Sequence, residues 1–210
     1  MIDHVPAALR ALWHELPFVA AAGALVCTAF GLVVLLMPGL SPVSVMLGAV
    51  LVGPVWAGVV ATADSVVRDE RGGVVLLLRH LKQHAPAGLE VAAVPAVVAA
   101  LTLLNWQLYT SPVVAIPLAV SGCATVLVLL ASCYAFSLRV TAGLRGKRLW
   151  LTALVMVARA PMVPLGVLAL AFVALLLGTS VTASLLLLAP GPVALFASAG
   201  TWTENHALHR

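Results

Sequence analysis

The chain has 210 residues, 63% of them hydrophobic and 9% charged, with a net charge of +4 and a mean hydropathy of +1.15. A soluble domain usually carries about 25% charged residues, so a chain this apolar cannot clothe a globule in polar surface. That excludes a soluble enzyme or a nucleic-acid-binding module and leaves an integral membrane protein, a helical one, because the alternating pattern of outer-membrane strands is absent.

The chain opens on "MIDHVPAALRALWHELP", which carries Asp3 and Glu15 and no clear small-residue cleavage site; no cleaved signal peptide is expected. Runs of about 20 apolar residues match the thickness of a bilayer core. The first covers residues 17–37 and ends at "PGLSP". The second covers 43–67, with Gly53 and Pro54 near its middle. Proline there removes a backbone hydrogen bond and predicts a kink. A charged stretch follows, then a third span over 88–108, the turn "YTSP" and a fourth span over 113–137. Beyond the basic segment "LRVTAGLRGKR" lie a short apolar piece at 149–158 and a fifth span over 162–177. The last apolar run, 181–199, is split by "PGP" at 190–192. It counts as a sixth span if it crosses fully; otherwise there are five. The predicted fold is all-α: one transmembrane helical bundle over 1–210, with about six spans and short cytoplasmic amphipathic helices.

The turns at 38–42, 109–112 and 178–180 contain no Lys or Arg. The turns at 67–87 and 138–161 contain nine: Arg68, Arg71, Arg79, Lys82, Arg139, Arg145, Lys147, Arg148 and Arg159. Arg10 and Arg210 lie near the ends. With six spans all eleven cations fall on one side, the positive-inside signature, which predicts a plasma-membrane protein with both termini in the cytoplasm.

The first basic stretch, "VVRDERGGVVLLLRHLKQH", holds four cations, two acids and two histidines. Val74, Leu77, Leu78 and Leu81 share one helical face, with Arg79, Lys82 and Gln83 opposite, which predicts a separate amphipathic helix in the headgroup layer. Asp64 and Arg68 have the favoured acid-first spacing for an ion pair. Pro86 and Glu90 are expected in the first turn of the third span, where proline fits and a carboxylate meets the positive end of the dipole. The candidate contacts for lipid or a partner are Arg68, Arg71, Arg79, Lys82, Arg145, Lys147 and Arg148.

His80 and His84 form HxxxH, which places two imidazoles on one helical face, but a zinc site needs further ligands and no HExxH or nearby cysteine supplies them. Cys27, Cys123 and Cys133 sit in apolar runs without a CxxC and read as small buried hydrophobes. Ionisable groups deep in a span would mark a relay or pathway, and the sequence places none there; Asn105, Trp106 and Gln107 fall near the outer end of the third span. No nucleotide-binding or nucleophile motif is present. No catalytic residue, cofactor or metal ligand is therefore predicted. The small residues Ala22, Gly23, Ala57, Gly58 and Ala61 suit helix contacts within the bundle.

Several stretches together resemble the YesL-like family of small bacterial membrane proteins: "GPVWAGVVATADSVVRDE", "VLLLRHLKQHAPAGLEV", "LRVTAGLRGKRLWLTALVMVARAPMVPLGVLAL" and "PGPVALFASAGTW". The resemblance runs from Gly53 onward and supplies no catalytic residue. It implies an accessory role beside bacterial carbohydrate uptake or utilisation, with a membrane transport protein as partner. The alternative is a small transporter or channel for a neutral or lipid-like solute, using the helix breaks at Gly53-Pro54 and at 190–192 to expose backbone to a cavity.

Overall fold

The structure, a computed structural model, describes residues 16–69, 73–109, 115–180, 190–195 and 197–198, with backbone only for 67–69 and 174–180. Six helices follow in order: α1 (Leu16–Leu36), α2 (Pro42–Asp69), α3 (Val74–Gln107), α4 (Ala115–Thr141), α5 (Gly146–Arg159) and α6 (Met162–Ser180). Residues 190–195 are helical as well, and no strand occurs among the described residues. Four helices, α1 to α4, are long and apolar enough to cross a membrane, or up to five spans if α5 and α6, bent by 89°, count as one. A sixth span rests on the 181–199 run, most of which lies outside the described residues.

The "PGLSP" turn shows how local chemistry starts a helix. Gly39 takes a positive φ of 109°. The Ser44 amide donates to Ser41 Oγ at 3.0 Å, and the Ser41 amide donates to Ser44 Oγ at 2.9 Å. This is a reciprocal capping box with serine in place of the usual glutamate, and Pro42 occupies the first helical position, where its missing N–H costs nothing.

Helices α2 and α3 form an antiparallel hairpin whose seam is built from small residues. A Cβ at Gly53 would lie 2.6 Å from Ala92 Cβ and 3.1 Å from the Gly88 carbonyl oxygen. One at Gly58 would lie 2.8 Å from Leu81 Cα, and one at Gly88 would lie 2.8 Å from Pro54 Cα and from Ala57 Cβ and would collide with the Gly53 carbonyl. Without side chains between them the two backbones touch, which is how apolar helices gain dispersion energy where lipid competes for every other contact. Ala57, Gly58 and Ala61 are buried here as expected, and so are Ala22 and Gly23 in α1.

Two expectations about this hairpin are corrected. Residues 74–84 are not a separate helix in the headgroup layer; they are the first three turns of α3, which runs unbroken for 34 residues through Pro86 and Pro95. Each proline costs a hydrogen bond, and the close approach of Gly88 to Gly53 lies two residues beyond Pro86. Pro86 and Glu90 are therefore interior to α3 rather than in its first turn. The inward face of those first turns also differs from the predicted one. Leu77 is fully buried, while Val74 and Leu78 are exposed. His80 and Leu81 are partly buried against α2 instead, and His84 is partly buried within electrostatic reach of Arg139 on α4.

The core gathers toward one end. Residues 57–64 of α2 are buried on every side, whereas Val43, Met46 and Val50 in its first turns are exposed. A helix buried all round is a central one. Around it the core includes Phe18 of α1, Leu77 and Val91 of α3, Tyr134 and Leu138 of α4, Leu149 and Met156 of α5, and Leu195. Gly191 closes the bundle against α1, since a Cβ there would lie 2.8 Å from Val19 Cγ1. At the predicted "PGP" split residues 190–195 are helical, with Pro190 and Gly191 both buried, and the preceding residues 181–189 lie outside the described residues. Where α5 meets α6, Tyr134 Oη donates to the Ala160 carbonyl at 2.9 Å, so the carbonyl exposed by the break has a partner inside the protein. The cysteines are less buried than expected: Cys27 and Cys133 are intermediate and Cys123 is exposed. On a helix facing hydrocarbon an apolar thiol needs no burial.

Candidate functional site

Helices α3 and α4 lie antiparallel, and a ladder of polar contacts records the register. Asn105 Nδ2 donates to Ser121 Oγ at 3.1 Å, and the Thr102 and Thr125 hydroxyls meet at 2.8 Å. Toward the other end Arg139 holds Glu90, with Nη2 at 3.0 Å and Nε at 3.1 Å from the same carboxylate oxygen, Oε2. Several hydroxyls within the apolar helices bond each other or the carbonyl one turn back, as at Thr102 to Val98 (3.1 Å), while the buried Ser137 and Ser198 hydroxyls have no hydrogen-bond partner.

The Glu90–Arg139 pair belongs to the polar cluster at the basic end of the bundle. The Thr62 hydroxyl donates to the Gly58 carbonyl at 2.9 Å and lies 3.2 Å from His80 Nδ1. A hydroxyl has one proton. Either Oγ1 accepts from an Nδ1–H of His80 or the hydroxyl turns to donate to Nδ1, so the contact joins α2 to α3 in both tautomers. His84 stacks edge-on to His80, with ring centroids 5.8 Å apart and planes at 77°. Asp64, buried on α2, is within electrostatic reach of His80, and Arg139 is within reach of His84. Thr62, Asp64, His80 and His84 thus lie near one another, and Arg139 links His84 to Glu90, which is about 15 Å further along α3 than His80 at 1.5 Å per residue.

A hydroxyl beside an imidazole is also how a nucleophile is activated. Thr62 is 0% exposed, closed to any substrate arriving from solvent, and its contact with His80 links α2 to α3. Among the described residues, no group of three His, Cys, Asp or Glu side chains is placed to share a metal ion.

The cluster's strongest element is the ion pair. The Arg139 side chain is 12% exposed and that of Glu90 41%. Breaking a buried pair costs more than the pair contributes, because it strands a charge. Glu90→Gln is expected to lower stability by about 1–3 kcal/mol, below the range for a fully buried pair because Glu90 is partly in solvent. Adding Arg139→Gln should recover part of that loss. Thermal unfolding of the three variants in detergent measures both, and a double variant no better than Glu90→Gln alone would reject an electrostatic origin.

The predicted contact residues divide into two groups at this same end. Arg79 and Lys82 are exposed on the first turns of α3, beside a shallow hollow lined by Gly73, Val74, Val75, Leu76 and Arg79. Arg145, Lys147 and Arg148 are exposed at the start of α5. Arg71 and the Arg68 side chain lie outside the described residues, so the Asp64–Arg68 pairing is not tested here. No basic residue lines the α3–α4 ladder at the opposite end.

Sequence reading missed the partners of His80, Glu90 and Tyr134. One signal was available. Leu77, His80, His84, Gly88 and Val91 recur at helical spacing, so the histidines fall on the stripe that the small residues use to meet α2. The pairing of Glu90 with Arg139, 49 positions away, had no local signal.

No protein-family model, curated protein or solved structure matches this chain. The functional reading therefore rests on the chain's own chemistry.

Proposed function

We propose that this chain is a non-enzymatic accessory protein of the bacterial plasma membrane, which binds another membrane protein through its basic end. In this reading the bundle crosses the bilayer about six times, with the basic end and both termini in the cytoplasm. The observation that carries it is the division between interior and rim. The interior near α2 is packed from small residues, with Thr62 paired to His80 and Glu90 to Arg139. The exposed face of α3's first turns instead combines apolar and basic side chains, Val75 at 75% and Leu78 at 52% exposed beside Arg79 and Lys82. Such a face, fixed on a rigid helix, suits an acidic or apolar partner surface. Gly53-Pro54, a candidate break for a solute path, lies in close contact with Gly88 and Ala92, which favours the accessory reading over transport. The link to carbohydrate uptake rests on the YesL-like resemblance, and it names the partner class to look for: a membrane component of a sugar-uptake system.

The test removes charge and keeps shape. Arg79→Gln with Lys82→Gln preserves length and helix propensity. Normal insertion and yield are expected, because the spans do not depend on these two side chains. Recovery of sugar-transport components with the tagged protein from native membranes should fall several-fold. Undiminished recovery by the double variant would remove the docking role from this face.

A further inference from the structure

The docking face lies at the start of α3; α5 presents a different surface. Leu149, Ala153 and Met156 of α5 are buried against the bundle. On the opposite side Arg148, Leu151, Val155 and Arg159 form a single exposed stripe, with Leu151 62% and Val155 48% exposed. The stripe has two apolar residues in the middle and an arginine at each end, roughly 16 Å apart along the axis at 1.5 Å per residue. The helix itself turns 89° from α6. With α6 upright in a bilayer, α5 lies in the membrane plane at the basic end, where α4 also finishes.

Charge complementarity decides what covers the stripe. From residue 91 to residue 203 the sequence contains no Asp or Glu, yet it contains Arg139, Arg145, Lys147, Arg148 and Arg159. Arg139 is occupied by Glu90. The other four are exposed, and no ion pair is formed by any of them among the described residues. An in-plane helix with apolar residues between cations places the apolar side chains at the acyl boundary and lets the arginines extend back to phosphate. Guanidinium matches phosphate oxygens in bidentate geometry.

We propose that the exposed stripe of α5, from Arg148 to Arg159, is an anionic-phospholipid site: Leu151 and Val155 enter the headgroup–acyl boundary while Arg148 and Arg159 hold lipid phosphates. The site is independent of the docking face on α3 and of the orientation of the bundle, and it commits to lipid rather than protein as the occupant.

The full chain is reconstituted in nanodiscs of phosphatidylcholine with or without phosphatidylglycerol, with Cys27, Cys123 and Cys133 replaced by Ala and a spin label on Leu151→Cys. The label should be more accessible to oxygen than to a water-soluble nickel chelate, at headgroup–acyl depth. In the same mixed discs, lipid retained through detergent extraction should be enriched in phosphatidylglycerol. Arg148→Gln with Arg159→Gln should reduce that enrichment several-fold, and Arg148→Lys with Arg159→Lys should keep most of it. A label open to the chelate places the stripe in water and overturns the site. A label at mid-bilayer depth makes α5 and α6 one broken span and overturns it as well. Unchanged phosphatidylglycerol enrichment in the glutamine pair rejects the phosphate contacts. Should the glutamine pair fail to fold, label depth together with enrichment in the wild type and the lysine pair still decides.

Discussion

Gly88→Val is expected to lower the stability and the recovery of folded protein sharply, while Gly122→Ala leaves both intact. The two glycines sit in the same kind of apolar helix but in opposite surroundings. A single methyl at Gly88 would already press on Ala57 Cβ, Pro54 Cα and the Gly53 carbonyl, and two of those are backbone. Side chains can rotate away; a helix axis cannot shift without opening the whole seam, including the Gly58–Leu81 and Thr62–His80 contacts further along it. Overpacking a well-filled core typically costs about 1–3 kcal/mol, and occasionally more. The upper part of that range is expected here because the obstruction is main chain. It would consume much of the roughly 5–15 kcal/mol that holds a domain folded. At Gly122 nothing lies within 4 Å of the added methyl, and alanine gains up to about 1 kcal/mol over glycine in a helix interior. Monodispersity on size-exclusion chromatography and thermal unfolding in detergent separate the two variants. Equal behaviour would mean that α2 and α3 do not pack through this seam.

An all-or-none result is expected for sidedness. In a chain whose three native cysteines are replaced, Leu40→Cys should react with a membrane-impermeant thiol reagent in cells with a permeable outer envelope. Ala142→Cys should react only once the inner membrane is opened. Leu40 is 85% exposed in the uncharged turn before α2, and Ala142 is exposed in the turn between α4 and α5, close to Arg139 and Arg145. Retention of Lys and Arg on the cytoplasmic side orients the bundle, and the cations are numerous enough that no single one decides it. The opposite labelling pattern would invert the bundle. A reporter at the C-terminus counts the spans in the same cells: cytoplasmic for six, exported for five.

Sequence alone determined a great deal here. Hydropathy is a sum over neighbours in the chain, so the apolar runs marked the long helices of an all-helical membrane protein. Charge is equally local, and the basic turns marked one end of the bundle. Helical spacing put His80 and His84 on one face, and Ala57, Gly58 and Ala61 were legible as contact residues. Proline was the misleading local signal. Pro86 read as a helix start because its penalty is local, whereas the packing beside it, Gly88 on Gly53, joins positions 35 residues apart. Only the tertiary structure decided what each polar group meets. Glu90 finds Arg139, Thr62 finds His80, and Tyr134 finds the Ala160 carbonyl, because side chains reach only a few ångströms and the register between helices fixes which ones come within reach. The direction of α5 was settled in the same way. Its composition suits a span fragment or an interfacial helix alike; the structure turns it 89° from α6 and buries Leu149, Ala153 and Met156 in the core, an arrangement no window of sequence contains.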